Sequence, residues 1–122
     1  MNLCATQNKI FLNEQQINNI TFLLGLYQNL TLINLNVNNN EFLKRKILQH
    51  TQDTINFRNL INESNYGLNE EDKAFLLIRL VQLRILIDKQ RIKTPNSPAS
   101  KLKNEIYQQI MTIKNELQEF HK

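Results

Sequence analysis

Tryptophan is absent from this 122-residue chain, glycine and proline occur twice each, and cysteine once. Each scarcity excludes something. A lone Cys4 cannot close an intramolecular disulfide, and a cysteine-rich zinc centre is ruled out with it. Two glycines and two prolines leave few built-in breaks, which favours long helices over many short strands. Arg79, Gln82 and Arg84 interrupt the longest apolar region, so nothing approaches the roughly 18 uninterrupted residues of a bilayer-spanning helix, and no membrane insertion is expected. The opening segment MNLCATQNKIFLNEQQ has no charged stretch leading into a sustained apolar run. A secretory signal is therefore not expected, and a cytoplasmic, reducing location is. Glycosylation-type triplets at Asn19, Asn29 and Asn62 accordingly carry no weight.

Hydrophobic residues make up 41% and charged residues 21% of the chain, an ordinary balance for one soluble domain large enough to bury a core. Residues 1–12 read as a tail and 13–122 as a single helical domain. Fifteen Lys and Arg against eleven Asp and Glu give a net charge of +4, which permits contact with acidic partners without demanding it.

The strongest signal runs from Asn69 to Lys93, where apolar residues wrap most of the way around a helix. Leu76, Leu80, Leu83 and Ile87 form one seam, and Ala74, Ile78, Val81, Ile85 and Ile92 form a second on the opposite side. A helix with two seams requires cover from two sides.

The remaining punctuation predicts three more helices. Asn13 with Gln16 makes a capping box for a first helix over about 14–31, whose face carries Ile17, Ile20, Leu23, Leu24, Tyr27 and Leu30. Gly25 inside it suggests close packing of another backbone. The alternation Ile33-Asn34-Leu35-Asn36-Val37-Asn38 has no evident partner strand, so it reads as an extended connector resting on the core, with Asn38 capping the next helix. A second helix follows over about 39–63. Gly67 reads as a left-handed turn residue, and Asn69 caps a third helix over about 69–93 with Glu70, Glu71 and Asp72 in its first turn. Thr94 to Pro98 ends it, and Ser97 with Pro98 starts a fourth helix over about 98–121, seamed by Leu102, Ile106, Ile110, Ile113, Leu117 and Phe120. The expected fold is all-α: a four-helix antiparallel bundle, up-down-up-down.

Chemistry is sparse. No catalytic residues, cofactor site or metal ligands are expected, because two histidines, one cysteine and scattered carboxylates show no motif spacing, and neither histidine has a Glu three residues before it. Glu70, Glu71 and Asp72 point in different directions on a helix and already serve its N-terminus. His50, on the stripe of the second helix, is the one side chain suited to a base or a pH-sensitive role, against the ordinary role of a hydrogen-bonded boundary residue. His121 suits the negative end of the last helix.

Two binding surfaces follow from composition. Phe75, Arg79, Gln82 and Leu86 lie between the two seams of the third helix and combine aromatic, aliphatic and Arg as interfaces do. They are the candidate surface for another protein or a second copy of this chain, unless the third helix is central and covered all round. Lys44, Arg45 and Lys46 fan across about 200° of the second helix, so only part of the cluster faces one ligand. The expectation is a small, non-enzymatic interaction protein of the inhibitor, immunity, adaptor or chaperone type. The alternative is a basic helical nucleic-acid-binding or ribonucleoprotein subunit using Lys44, Arg45 and Lys46.

Overall fold

The computed structural model describes residues 9–37, 39–89 and 97–119, with the side chains of 34–37 left aside. Four helices, α1 (Glu14–Val37), α2 (Glu41–Ile61), α3 (Glu70–Asp88) and α4 (Pro98–Glu119), form an antiparallel bundle. Two short strands, β1 (Ile10–Phe11) and β2 (Gly67–Leu68), pair antiparallel beside it. Helix α1 touches each of the other three helices, and α3 packs against both α1 and α4.

The caps are built as side-chain chemistry requires. Asn13 Oδ1 accepts from the Gln16 backbone N–H at 2.8 Å and Gln16 Oε1 accepts from that of Asn13 at 2.9 Å, closing the capping box of α1. Asn69 and Asp72 form the equivalent box on α3, and the Tyr66 hydroxyl donates to Asp72 Oδ2 at 2.7 Å. That bond to a carboxylate pushes the Tyr66 pKa up to about 12. Ser97 Oγ accepts from the Ser100 N–H at 3.2 Å to start α4.

The core is one aliphatic cluster. Ile20, Leu23 and Leu24 of α1 meet Leu76, Leu80 and Leu83 of α3, all 1% exposed or less. Helix α4 seals the third side with Ile106, Ile110, Ile113 and Leu117, whereas Leu102, expected on the same seam, is 52% exposed.

Five expectations are corrected. The alternating segment after Leu30 is not an extended connector, because α1 continues through Val37. An unpaired strand would leave its backbone polar groups without partners, whereas a continued helix satisfies them internally. Helix α2 begins at Glu41 and is capped by Asn40, which accepts from the N–H groups of Phe42 at 2.9 Å and Leu43 at 3.2 Å; Asn38, the expected cap, lies outside the described residues. Within the segment read as a tail, Ile10 and Phe11 instead form β1, and Ile10 pairs with Leu68 with both buried. The left-handed turn residue is Asn65, with φ 62°, and not Gly67. Gly25 faces a side chain in place of a backbone: Arg58 Nη1 would lie 3.1 Å from a Cβ added there.

Several boundaries lie beyond what is described. Residues 90–96, and with them the expected end of the third helix at Ile92 and Lys93, fall outside the described residues, as do Cys4, Phe120 and His121.

Gly67 is required by proximity, because a Cβ there would stand 2.8 Å from Lys9 Cβ and 3.0 Å from Phe11 Cε1. Gly67→Ala is expected to lower unfolding stability by about 1–3 kcal/mol through overpacking of the strand pair. Denaturant unfolding reads this directly, and an unchanged midpoint would show that the pairing carries no stability.

Candidate functional site

Helices α2 and α3 run antiparallel and meet through side chains that become more polar along their length. At one end the Phe57 and Phe75 rings lie 4.8 Å apart between centroids. Next, Arg79 Nε donates to Thr54 Oγ1 at 3.2 Å and Arg79 Nη1 to Gln82 Oε1 at 3.2 Å. Tyr27 of α1 reaches between the two helices; its hydroxyl donates to Gln82 Oε1 at 3.0 Å and lies 3.3 Å from His50 Nδ1. Beyond that point the helices part. Lys46 and Ile47 stand on one wall, Ile85 and Leu86 on the other, and Tyr27 and Thr31 form the floor of an open cleft of about 300 Å³.

Threonines explain why this seam forms where the apolar stripe of α2 weakens. Thr51 and Thr54 donate to the carbonyls of Ile47 at 2.8 Å and His50 at 2.7 Å, and Thr31 donates to that of Gln28 at 2.8 Å. Their hydroxyls are thereby satisfied within their own helices, leaving compact methyl-bearing surfaces for packing. Thr31 and Thr51 then meet at 3.3 Å between Oγ atoms.

The electrostatics centre on Arg79, which is only 6% exposed. Its guanidinium stacks over Phe75 at 4.3 Å and reaches Tyr27 at 5.8 Å. Burial pulls the Arg79 pKa down and pushes that of Tyr27 up. Burial also pulls His50 below its ordinary value, helped by the cations Arg79 and Lys46 and opposed by Asp53. The arrangement is suited to binding: the lining surface is mostly apolar, with Lys46 and His50 at hand. Among the described residues no group of three His, Cys, Asp or Glu side chains could hold a metal ion.

The structure brings Phe75, Arg79, Gln82 and Leu86 onto one face of α3, but that face turns toward α1 and α2. Arg79 is buried, Phe75 stacks on Phe57, and Gln82 and Leu86 line the cleft. The second seam is the bare one. Ile78, Val81 and Ile85 are 53%, 44% and 49% exposed, and Ala74 is exposed beside them. The expectation of cover on both sides is therefore corrected: α2 leans on the polar flank of α3 and leaves this seam open. The basic cluster is divided. Lys44 pairs with Glu41 at 3.7 Å, Lys46 Nζ sits 4.7 Å over the Phe42 ring and lines the cleft, and Arg45 is exposed. Sequence reasoning missed Tyr27, Thr31 and Ile47 as cleft residues; a tyrosine on an otherwise aliphatic core face was the available signal.

The fold is a four-helix bundle with a three-helix cleft, and no family model, curated protein or solved structure matches the chain. No helix among the described residues is long and apolar enough to cross a membrane.

His50 yields a signed pH prediction. Its folded pKa lies below 6.5, so between the two values the unfolded chain binds more protons. The stability contributed by neutral His50 is complete above 6.5 and is lost as pH falls through that window to the folded pKa. An NMR titration of the ring, assigned with His50→Gln, is expected to show a midpoint below 6.5. A midpoint above it would contradict the burial of the ring and its cationic surroundings.

Proposed function

We propose that this protein is a small, non-catalytic interaction module of the inhibitor, immunity, adaptor or chaperone kind, which binds an amphipathic helix of another protein along the outer face of α3. The observation that carries this reading is the bare row of Ile78, Val81 and Ile85 on a helix whose opposite seam is sealed. Singly scattered apolar residues need no explanation, but a contiguous row marks an interaction surface. With Ala74 the row repeats at intervals of four, three and four, the spacing by which one helix packs against another. Leu77 joins Ile78, Val81 and Gln82 around an apolar depression of about 240 Å³.

Charge supports a defined orientation for the incoming helix. Glu70 and Glu71 stand exposed at the start of α3, and Arg84 and Lys89 at its end. A partner helix carrying basic residues near the first pair and acidic residues near the second would dock in one direction. The nucleic-acid alternative has less support, because the three basic side chains diverge: Lys44 pairs with Glu41, Lys46 lines the cleft and Arg45 stands apart, exposed. A cytoplasmic location belongs to the same proposal.

The double variant Ile78→Glu, Val81→Glu tests the seam without touching the lining of the cleft. Both residues are exposed, so circular dichroism and the unfolding midpoint are expected to stay near wild type. Affinity for the protein that co-purifies from native cells should fall at least about tenfold, since each side chain is worth roughly 1.5–3 kcal/mol when fully buried. Undiminished binding with an intact fold would refute the seam as the partner surface. A wild-type dimer by light scattering that the variant converts to monomer would reassign the seam to a second copy.

A further inference from the structure

We propose that the cleft between α1, α2 and α3 binds a small apolar monocarboxylate, its hydrocarbon body against Ile47, Ile85 and Leu86 and its carboxylate toward Lys46, His50 and the Tyr27–Gln82 floor. This goes beyond partner binding and does not rest on it.

The size and walls define the body of the ligand. A volume of about 300 Å³ holds roughly ten groups the size of a water molecule, at about 30 Å³ each, which is the size of an eight-carbon acid. Ile47, Ile85 and Leu86 form two facing aliphatic walls. Concave sites with apolar walls and a few convergent polar groups are the usual form of a small-molecule site.

The floor defines the charge. Arg79 donates only to neutral oxygens, Thr54 Oγ1 and Gln82 Oε1, and among the described residues no carboxylate forms an ion pair with it. Asp53 acts on this guanidinium only through space and without an ion pair, so a further anion nearby would add to its stabilisation. Two donors, the Tyr27 hydroxyl and Arg79 Nη1, converge on the single carbonyl oxygen of Gln82, a residue that lines the cleft. Lys46 stands on the wall above, its Nζ held over the Phe42 ring. The carboxylate nearest in sequence to His50 is Asp53, whose Oδ1 accepts from Gln49 at 2.9 Å on the exposed side of α2. The groups that act on His50 are thus Tyr27 from α1, Arg79 and Gln82 from α3, and Lys46 and Asp53 from its own helix. Lys46 is the cation in the lining and, among the described residues, no carboxylate side chain stands beside it there, so an acid is favoured over an amine or an alcohol of the same length.

The test is an NMR titration of the full chain with sodium octanoate, repeated with 1-octanol. Octanoate is expected to shift the resonances of Lys46, Ile47, His50, Ile85 and Leu86 and to bind several-fold more tightly than the alcohol. Lys46→Gln, at an exposed position, should weaken octanoate about three- to fivefold and leave octanol unchanged. Saturating octanoate should also raise the His50 titration midpoint, because an adjacent anion favours the imidazolium. Equal binding of acid and alcohol, shifts outside the cleft, or a His50 midpoint that does not move would each overturn the proposal. Because Ile78 and Val81 do not line this cleft, their glutamate double variant should still bind octanoate even if it loses its protein partner.

Discussion

The burial of Leu76, Leu80 and Leu83 against Ile20, Leu23 and Leu24 is the constraint from which the rest of the molecule follows. Each of these side chains contributes on the order of 1.5–3 kcal/mol when removed from water, so together they outweigh any single polar contact in the bundle. Once this stripe faces α1, helical geometry turns Ala74, Ile78, Val81 and Ile85 away from the core, since residues half a turn around cannot share its cover. Helix α4 occupies the other flank of α3, where Tyr107 hydrogen-bonds Asp88 and lies 5.2 Å from the Arg84 guanidinium. Ile78 and Val81 stay open on the outward seam, while Ile85 at its far end also borders the cleft.

The polar contacts do a different job: they set where α2 lies. Arg79, Tyr27, His50 and Gln82 form one connected set, joined to Thr54, that holds the middle of α2 at a distance suited to hydrogen bonds instead of aliphatic packing. On one side of that set Phe57 and Phe75 close the gap. On the other side Lys46 and Ile47 of α2 and Ile85 and Leu86 of α3 line the cleft. Shape and charge there have one origin, because the residues that spread the helices are also those that make the floor polar.

Much of this architecture was legible in the residues. The capping box at Asn13 and the caps at Asn69 and Ser97 are local chemistry, decided within three or four residues, and the structure forms all three. The narrow seam of α4 is equally local. What could not be read was which of two similar seams on α3 would be buried, because Leu80 and Val81 differ little in hydrophobicity and the choice rests on contacts with α1, far away in sequence. The strand pair between Ile10 and Leu68 was hidden for the same reason, each segment being too short to show a period. The continuation of α1 to Val37 was misread because an apolar and Asn alternation fits a strand, yet Leu30, Ile33 and Val37 also recur at helical intervals. Of the cleft, His50, Gln82 and Leu86 could be singled out from sequence, whereas their meeting with Tyr27 depends on how two distant segments cross α1.

The most direct measurement is thiol reactivity at two adjacent positions of α3, in a chain where Cys4 is replaced by Ser. Val81→Cys is predicted to react with a thiol reagent at the rate of an exposed cysteine in the native protein, and Leu80→Cys to be protected until the chain unfolds. A Val81→Cys thiol as protected as its neighbour would contradict the account, for it would mean that the outer seam of α3 is covered and unavailable to any partner.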